Sequence, residues 1–129
     1  MVKKALIKDG WQITHDPYEI KTPDFKWEAD LGAEKLFAAQ KKNKKIVVEV
    51  KSFLEESTPN AFHKALGQYI NYRIGIKNQE LGRLIYLAVP IDIFETFFHY
   101  HVIQQVVKIN RMKTVAFDPI KIEIVSWND

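Results

Sequence analysis

The sequence predicts an α+β fold: a central mixed β-sheet with helices packed on it. Three features carry that expectation. The elements change kind along the chain, from a helix through three strands to a helix, a strand, one or two further helices and a closing strand pair. That order suits one sheet covered by helices. The stretch "STPNAFHKALGQYINYRIGI" spaces its apolar residues as a helix does, and "RLIYLAVP" is apolar without alternation, as a strand buried on both faces is.

In chain order, Val2–Lys8 reads as a short helix stopped by Gly10. "WQITH" sets Trp11, Ile13 and His15 against Gln12 and Thr14, the alternation of a strand. "DPYEIKTPDF" holds two prolines and reads as a loop. "WEADLGAEKLFAAQ" favours helix by composition, and a short helix over residues 33–42 is one reading of it. The stretches that follow, "QKKNKK" and "IVVEVKSF", look like a turn and a returning strand, so the preferred reading is a β-hairpin. The long helix is capped by Ser57 or Thr58, with Pro59 in its first turn. "IDIFETFFHYHVIQQVVKIN" reads as one or two helices. "KTVAFD" and "KIEIVSW" are strands joined by a turn at Asp118-Pro119.

The 129 residues fit one domain, and a chain of this size buries roughly two thirds of its unfolded surface without a covalent staple. There is no cysteine, which excludes disulfides and thiolate chemistry and points to a reducing cytoplasm. "MVKKALIKDGW" has basic residues but no apolar stretch, so no secretory signal is read there, and no run is long enough to span a membrane. The net charge of +3 is compatible with a phosphate-rich partner and does not require one. No glycine-rich phosphate loop, nucleophile elbow or HExxH helix is present.

The chemistry-bearing residues gather around "IVVEVKSF". In a strand, Ile46, Val48 and Val50 face one side, and Val47, Glu49 and Lys51 face the other. If the hairpin forms, Asp30 returns beside Glu49. Two carboxylates then converge with a lysine alongside. Carboxylate oxygens suit Mg²⁺, with Mn²⁺ as an alternative hard cation, and the ammonium is placed to orient water or offset phosphate charge. A solvated Glu/Lys strand face produces the same spacing, so the pattern alone does not decide.

Several segments together resemble the XisH family, the fdxN-element excision controlling factors best known from cyanobacteria. They are "ALIKDGWQITHDP", "ADLGAEKLFAAQK", "KIVVEVKSF", "ALGQYINYR", "IYLAVP" and "VAFDP", in family order over about residues 5–127. The resemblance implies a restriction-endonuclease-like core of the PD-(D/E)XK superfamily, in the order αβββαβ. It places that motif's acidic position at Asp30 and its E-x-K at Glu49 and Lys51. It also implies a supporting polar residue on the next helix, at Gln68, with Tyr72 one turn further along the same face. DNA is the implied partner, an XisI-like small protein a second, and a homodimer a third. Two positions depart from the pattern. Ala29 stands where the motif has proline, and the first helix carries basic residues and Asp9 where many active members have a glutamate.

Lys41, Lys42, Lys44 and Lys45 surround Asn43 at the hairpin tip, either to grip DNA phosphates near the site or to solubilise the tip. Tyr72 and Arg73 are further candidates for DNA contact, and Lys64 extends the same basic rim. Glu34 is a possible third acid or a solvated one. His99 and His101 point apart on a helix and read as structural or exposed. The aromatic-rich "IFETFFHYHVI" reads as core.

Overall fold

The computed structural model describes residues 1–37, 42–54 and 57–129, and only the backbone of Lys42. Its elements are α1 (Val2–Lys8), β1 (Gln12–His15), β2 (Tyr18–Lys21), β3 (Lys26–Ala29), β4 (Leu31–Phe37), β5 (Lys42–Val50), α2 (Thr58–Gln79), β6 (Arg83–Pro90), α3 (Ile91–Glu95), a 3-10 turn (Phe97–His99), α4 (His101–Ile109), β7 (Thr114–Asp118) and β8 (Glu123–Asn128). Among the described residues, six strands form one mixed sheet in the order β1-β4-β5-β6-β7-β8. The pairs β5/β6 and β6/β7 are parallel and the other three are antiparallel. The expected α+β architecture with a helix-flanked mixed sheet is what forms. Counted on the central sheet, the chain opens in the order αβββαβ.

The alternation in β5 divides two cores. Ile46 and Val48 pack with Leu6, Trp11, Tyr86 and Phe117 under α1. Val47 packs with Phe62, Tyr69, Tyr72, Ile85 and Leu87 under α2. The strand β6 is buried on both faces apart from Leu84, as its unbroken apolar run requires. Tyr69 ties α2 to the sheet: its hydroxyl donates to the Ile85 carbonyl at 3.1 Å and accepts from the Lys113 N–H at 2.8 Å. Ser57 caps α2 by accepting the Asn60 N–H at 3.4 Å. No helix among the described residues is long and apolar enough to cross a membrane.

The hairpin reading holds, with Leu31 opposite Val48 and Phe37 opposite Lys42, but its bounds are corrected: the returning strand already begins at Lys42, so Lys42–Lys45, read as part of the turn, pair with Glu34–Phe37, and it ends at Val50. Helix propensity loses here because the strand buries Leu31 and Ala33 against the α1 core. The loop reading of residues 16–25 is corrected. Tyr18–Lys21 is a strand, paired antiparallel with β3 in a separate two-stranded sheet. Its prolines, Pro17 and Pro23, flank the strand rather than interrupt it, and Tyr18 and Ile20 alternate inward against exposed Glu19 and Lys21. This small sheet lies on α2 at Gly75, where an added Cβ would come within 2.5 Å of the Ile20 side chain. The close approach carries the end of β3, and therefore Asp30, to the rim of the large sheet.

Candidate functional site

Asp30 is the single residue between β3 and β4, and Glu49 stands near the end of β5. The Leu31–Val48 register brings the two together. The N–H of Asp30 donates to Glu49 Oε1 at 3.1 Å, and Asp30 Oδ2 accepts the N–H of Val50 at 2.7 Å. Each residue thus holds the other through a backbone group. Lys51 continues β5 beyond its ladder, its N–H donating to the Ala88 carbonyl at 3.0 Å. Its Nζ lies 3.6 Å from Glu49 Oε2. All three residues that the spacing marked therefore meet at the rim where the parallel strands end.

Glu49 is buried, with 6% of its surface exposed. Burial, followed by the neighbouring Asp30 carboxylate, pushes its carboxyl up to about 7; Lys51 opposes the shift. The two carboxyls are within hydrogen-bonding reach of each other. This is the signature of acids crowded into a poorly solvated place, where either a shared proton or a cation relieves the repulsion. The Tyr72 phenol is raised too, first by burial and then by the negative charge of Glu49 and Asp30.

Gln68 and Tyr72 share one face of α2, a turn apart. One turn earlier, Lys64 lines a small cavity of about 250 Å³ together with Lys51 and Ser52. Gln68 therefore lies between Lys64 and Tyr72 on that face of α2. Its Oε1 is buried and accepts no hydrogen bond among the described residues. The Tyr72 hydroxyl donates to the Glu28 carbonyl at 3.4 Å.

Other candidates lie elsewhere. Lys45 and Lys44 come four and five residues before Glu49 along an extended strand, so they are on the order of 13–16 Å from it. Lys45 is 4.0 Å from Glu80, and Lys44 donates to the Tyr86 hydroxyl at 3.1 Å. Lys44 and Lys45 are thus engaged away from the carboxylate pair. Lys41 and the side chain of Lys42 lie outside the described residues. Arg73 turns from the site toward α4, donating to the Asn110 carbonyl at 2.6 Å and lying over the Tyr69 ring. Glu34 accepts from Asn43 at 3.1 Å and from Arg83 at 3.4 Å, away from Asp30. His99 and His101 are exposed.

The XisH family model ("XisH protein") matches residues 1–125. The chain belongs to the XisH family. An XisH family protein from Nostoc punctiforme PCC 73102 has a crystal structure that matches with a TM-score of 0.90 and 40% identity, over 99% of this chain and 95% of that one. A crystal structure described as that of a fdxN element excision controlling factor from Anabaena variabilis matches with the same score, identity and coverage. No curated protein matches.

The donor set of this XisH chain fits a hard divalent ion. It offers two adjoining carboxyls and, on the neighbouring helix, a buried amide oxygen without a donor. No cluster of three or more His, Asp or Glu side chains suited to a metal exists among the described residues, so water and substrate oxygens have to complete any such shell. Asp92 was not singled out from the sequence, yet it lines the same groove as Asp30, of about 650 Å³. The available signal was topological. Strands β5 and β6 are parallel neighbours, so the residues two past each, Ser52 and Asp92, emerge at one edge.

Proposed function

We propose that this XisH-family protein is a nuclease-like factor acting in DNA-element excision, with a Mg²⁺- or Mn²⁺-dependent phosphodiesterase centre at Asp30, Glu49 and Lys51. The observation that carries the reading is the meeting of Asp30 and Glu49 with Lys51 Nζ 3.6 Å from the latter. The XisH match and the excision role of the Anabaena variabilis relative support the biological setting. The αβββαβ order and the motif positions support kinship with the PD-(D/E)XK restriction-endonuclease-like superfamily.

In this reading Asp30 and Glu49 hold the ion. Bound there, the ion supplies a water of lowered pKa and offsets negative charge on the phosphate. The mutual backbone hydrogen bonds of Asp30 and Glu49 fix both carboxyls before anything binds, so little ordering cost remains. Lys51 puts a cation against the Glu49 carboxyl, where it orients a water or meets a phosphate oxygen. Gln68 offers its free acceptor to that water or to the Lys51 ammonium, and Tyr72 walls the carboxylates from solvent. The test is incubation of plasmid and single-stranded DNA with the protein and each metal. Cleavage that disappears in Lys51→Ala supports the assignment, and cleavage unchanged in that variant removes it.

A second reading keeps the fold without the reaction: an accessory factor that acts through an XisI-like partner protein. It is favoured by Asp9, the only acid close to α1 in sequence. Its Oδ2 accepts both Trp11 Nε1 at 3.2 Å and Trp127 Nε1 at 3.1 Å, so it is spent on packing rather than on the site. Co-purification with the XisI-like protein, in the absence of any cleavage, favours this reading. Robust cleavage without a partner excludes it.

A further inference from the structure

A second surface lies at the other end of β6. Ile74 on α2, Leu81 in the following turn, Leu84 on β6 and Ile109 at the end of α4 are all exposed, at 57%, 83%, 37% and 78%. They line one open groove of about 750 Å³. Large aliphatic side chains scattered singly on a surface need no explanation; four gathered in one groove do.

The rim of this groove is basic. Lys77, Arg111 and Lys113 line it and pair with no carboxylate among the described residues. The one acid there, Glu80, is held by Arg83 at 2.9 Å, with Lys45 at 4.0 Å. Arg111 sits at φ +52, in the left-handed position just past α4 where glycine is the usual residue. A long cationic side chain is therefore kept at a place where the backbone disfavours any side chain, by roughly 1–2 kcal/mol. Strain of that kind is a pointer to use of the side chain.

We infer that this groove docks an acidic amphipathic helix of a partner protein. An aliphatic floor between two helix ends takes the apolar stripe of a helix, and the unpaired cations meet its acidic flanks. A second copy of this chain fits poorly, because it would bring the same cations against each other. DNA fits poorly as well, since its phosphates gain nothing from an aliphatic floor. The groove lies at the opposite end of β6 from the Glu49 level, where Glu49 pairs with Leu87 and Lys45 with Arg83. Its variants leave Asp30, Glu49 and Lys51 untouched, so failure of this inference leaves the hydrolytic reading as it stands.

The test uses the full chain, immobilised, to select from displayed random peptides of about 16 residues, roughly four helical turns. The expected winners are rich in Asp and Glu, with apolar residues at helical spacing. By fluorescence anisotropy their binding should weaken about tenfold or more in Leu81→Asp and in Ile109→Asp. It should fall several-fold in Lys77→Glu and Arg111→Gln, and it should weaken with added salt. These side chains are exposed, so the variants should keep the wild-type melting temperature. Failure to select any peptide overturns the inference. So does selection of basic or uncharged sequences, or binding that survives the substitutions. Self-association of the chain in sedimentation velocity, abolished by Leu81→Asp, overturns it in favour of a second copy.

Discussion

Asp30 and Glu49 hold each other in place across the β4–β5 pairing: the N–H of Asp30 donates to Glu49 at 3.1 Å while the Asp30 carboxylate accepts the N–H of Val50 at 2.7 Å. Two acids pinned side by side, one of them buried, are a source of instability unless something else is gained. That tension gives the first prediction.

Glu49 is raised from its ordinary 4.5 to about 7 in the folded chain, so between those values the native state binds more protons than the unfolded one. Its contribution therefore lowers stability as pH rises through this window, by up to about 3 kcal/mol at 1.4 kcal/mol per unit. Glu49→Gln keeps the acceptor for the Asp30 N–H and removes the charge. Urea unfolding should show the variant more stable than wild type by about 2–3 kcal/mol at pH near 8, and little different at pH near 4.5. Equal gains at both pH values contradict ionisation of Glu49 as the cause.

Two glycines on α2 should respond oppositely to alanine. Nothing lies within 4 Å of a Cβ added at Gly67, so Gly67→Ala gains helix propensity and should stabilise by about 0.5–1 kcal/mol. A Cβ at Gly75 meets the buried Ile20 side chain at 2.5 Å, so Gly75→Ala should lose about 1–3 kcal/mol to overpacking, offset by at most about 1 from propensity. Thermal unfolding of the two variants measures the difference, and a stabilised Gly75→Ala contradicts the packing of β2 on α2.

Arg73 should act on α4 rather than on nucleic acid. Its guanidinium donates to the carbonyls of Asn110 at 2.6 Å and Arg111 at 3.4 Å, which are left open where α4 ends. Arg73→Met should cost about 1–2 kcal/mol and speed amide exchange in the last turn of α4. DNA affinity, where it is measured, should stay within about twofold of wild type once folding is corrected for. A large loss of DNA affinity with unchanged exchange contradicts this role.

The central sheet was legible because β1 and β5 alternate with a period of two while β6 is one unbroken apolar run, and the β4–β5 hairpin because a lysine-rich stretch separates two strand-like runs. The convergence of Asp30 with Glu49 followed from that hairpin. What stayed hidden depended on distant residues. Tyr18–Lys21 alternates clearly, yet its two neighbouring prolines suggested a loop, and only its docking on α2 at Gly75 shows why it is ordered as a strand. The role of Arg73 was invisible because its acceptor lies 37 residues on, at the end of another helix. From its spacing alone, Glu49 read first as part of a solvated strand face. Its burial depends on α2 closing over the strand, which spacing does not encode.

The most direct test of the central claim is isothermal titration of Mn²⁺ into wild type, Glu49→Gln and Asp30→Asn, at a pH above and at a pH below the Glu49 value of about 7. A metal centre at this pair predicts binding to wild type that tightens as pH rises through that value, because the ion displaces a proton. It also predicts loss of this binding in both variants, each of which keeps its fold. Binding heat that persists unchanged in Glu49→Gln and Asp30→Asn, or its absence from wild type at millimolar ion, contradicts a metal-dependent centre at these two carboxyls.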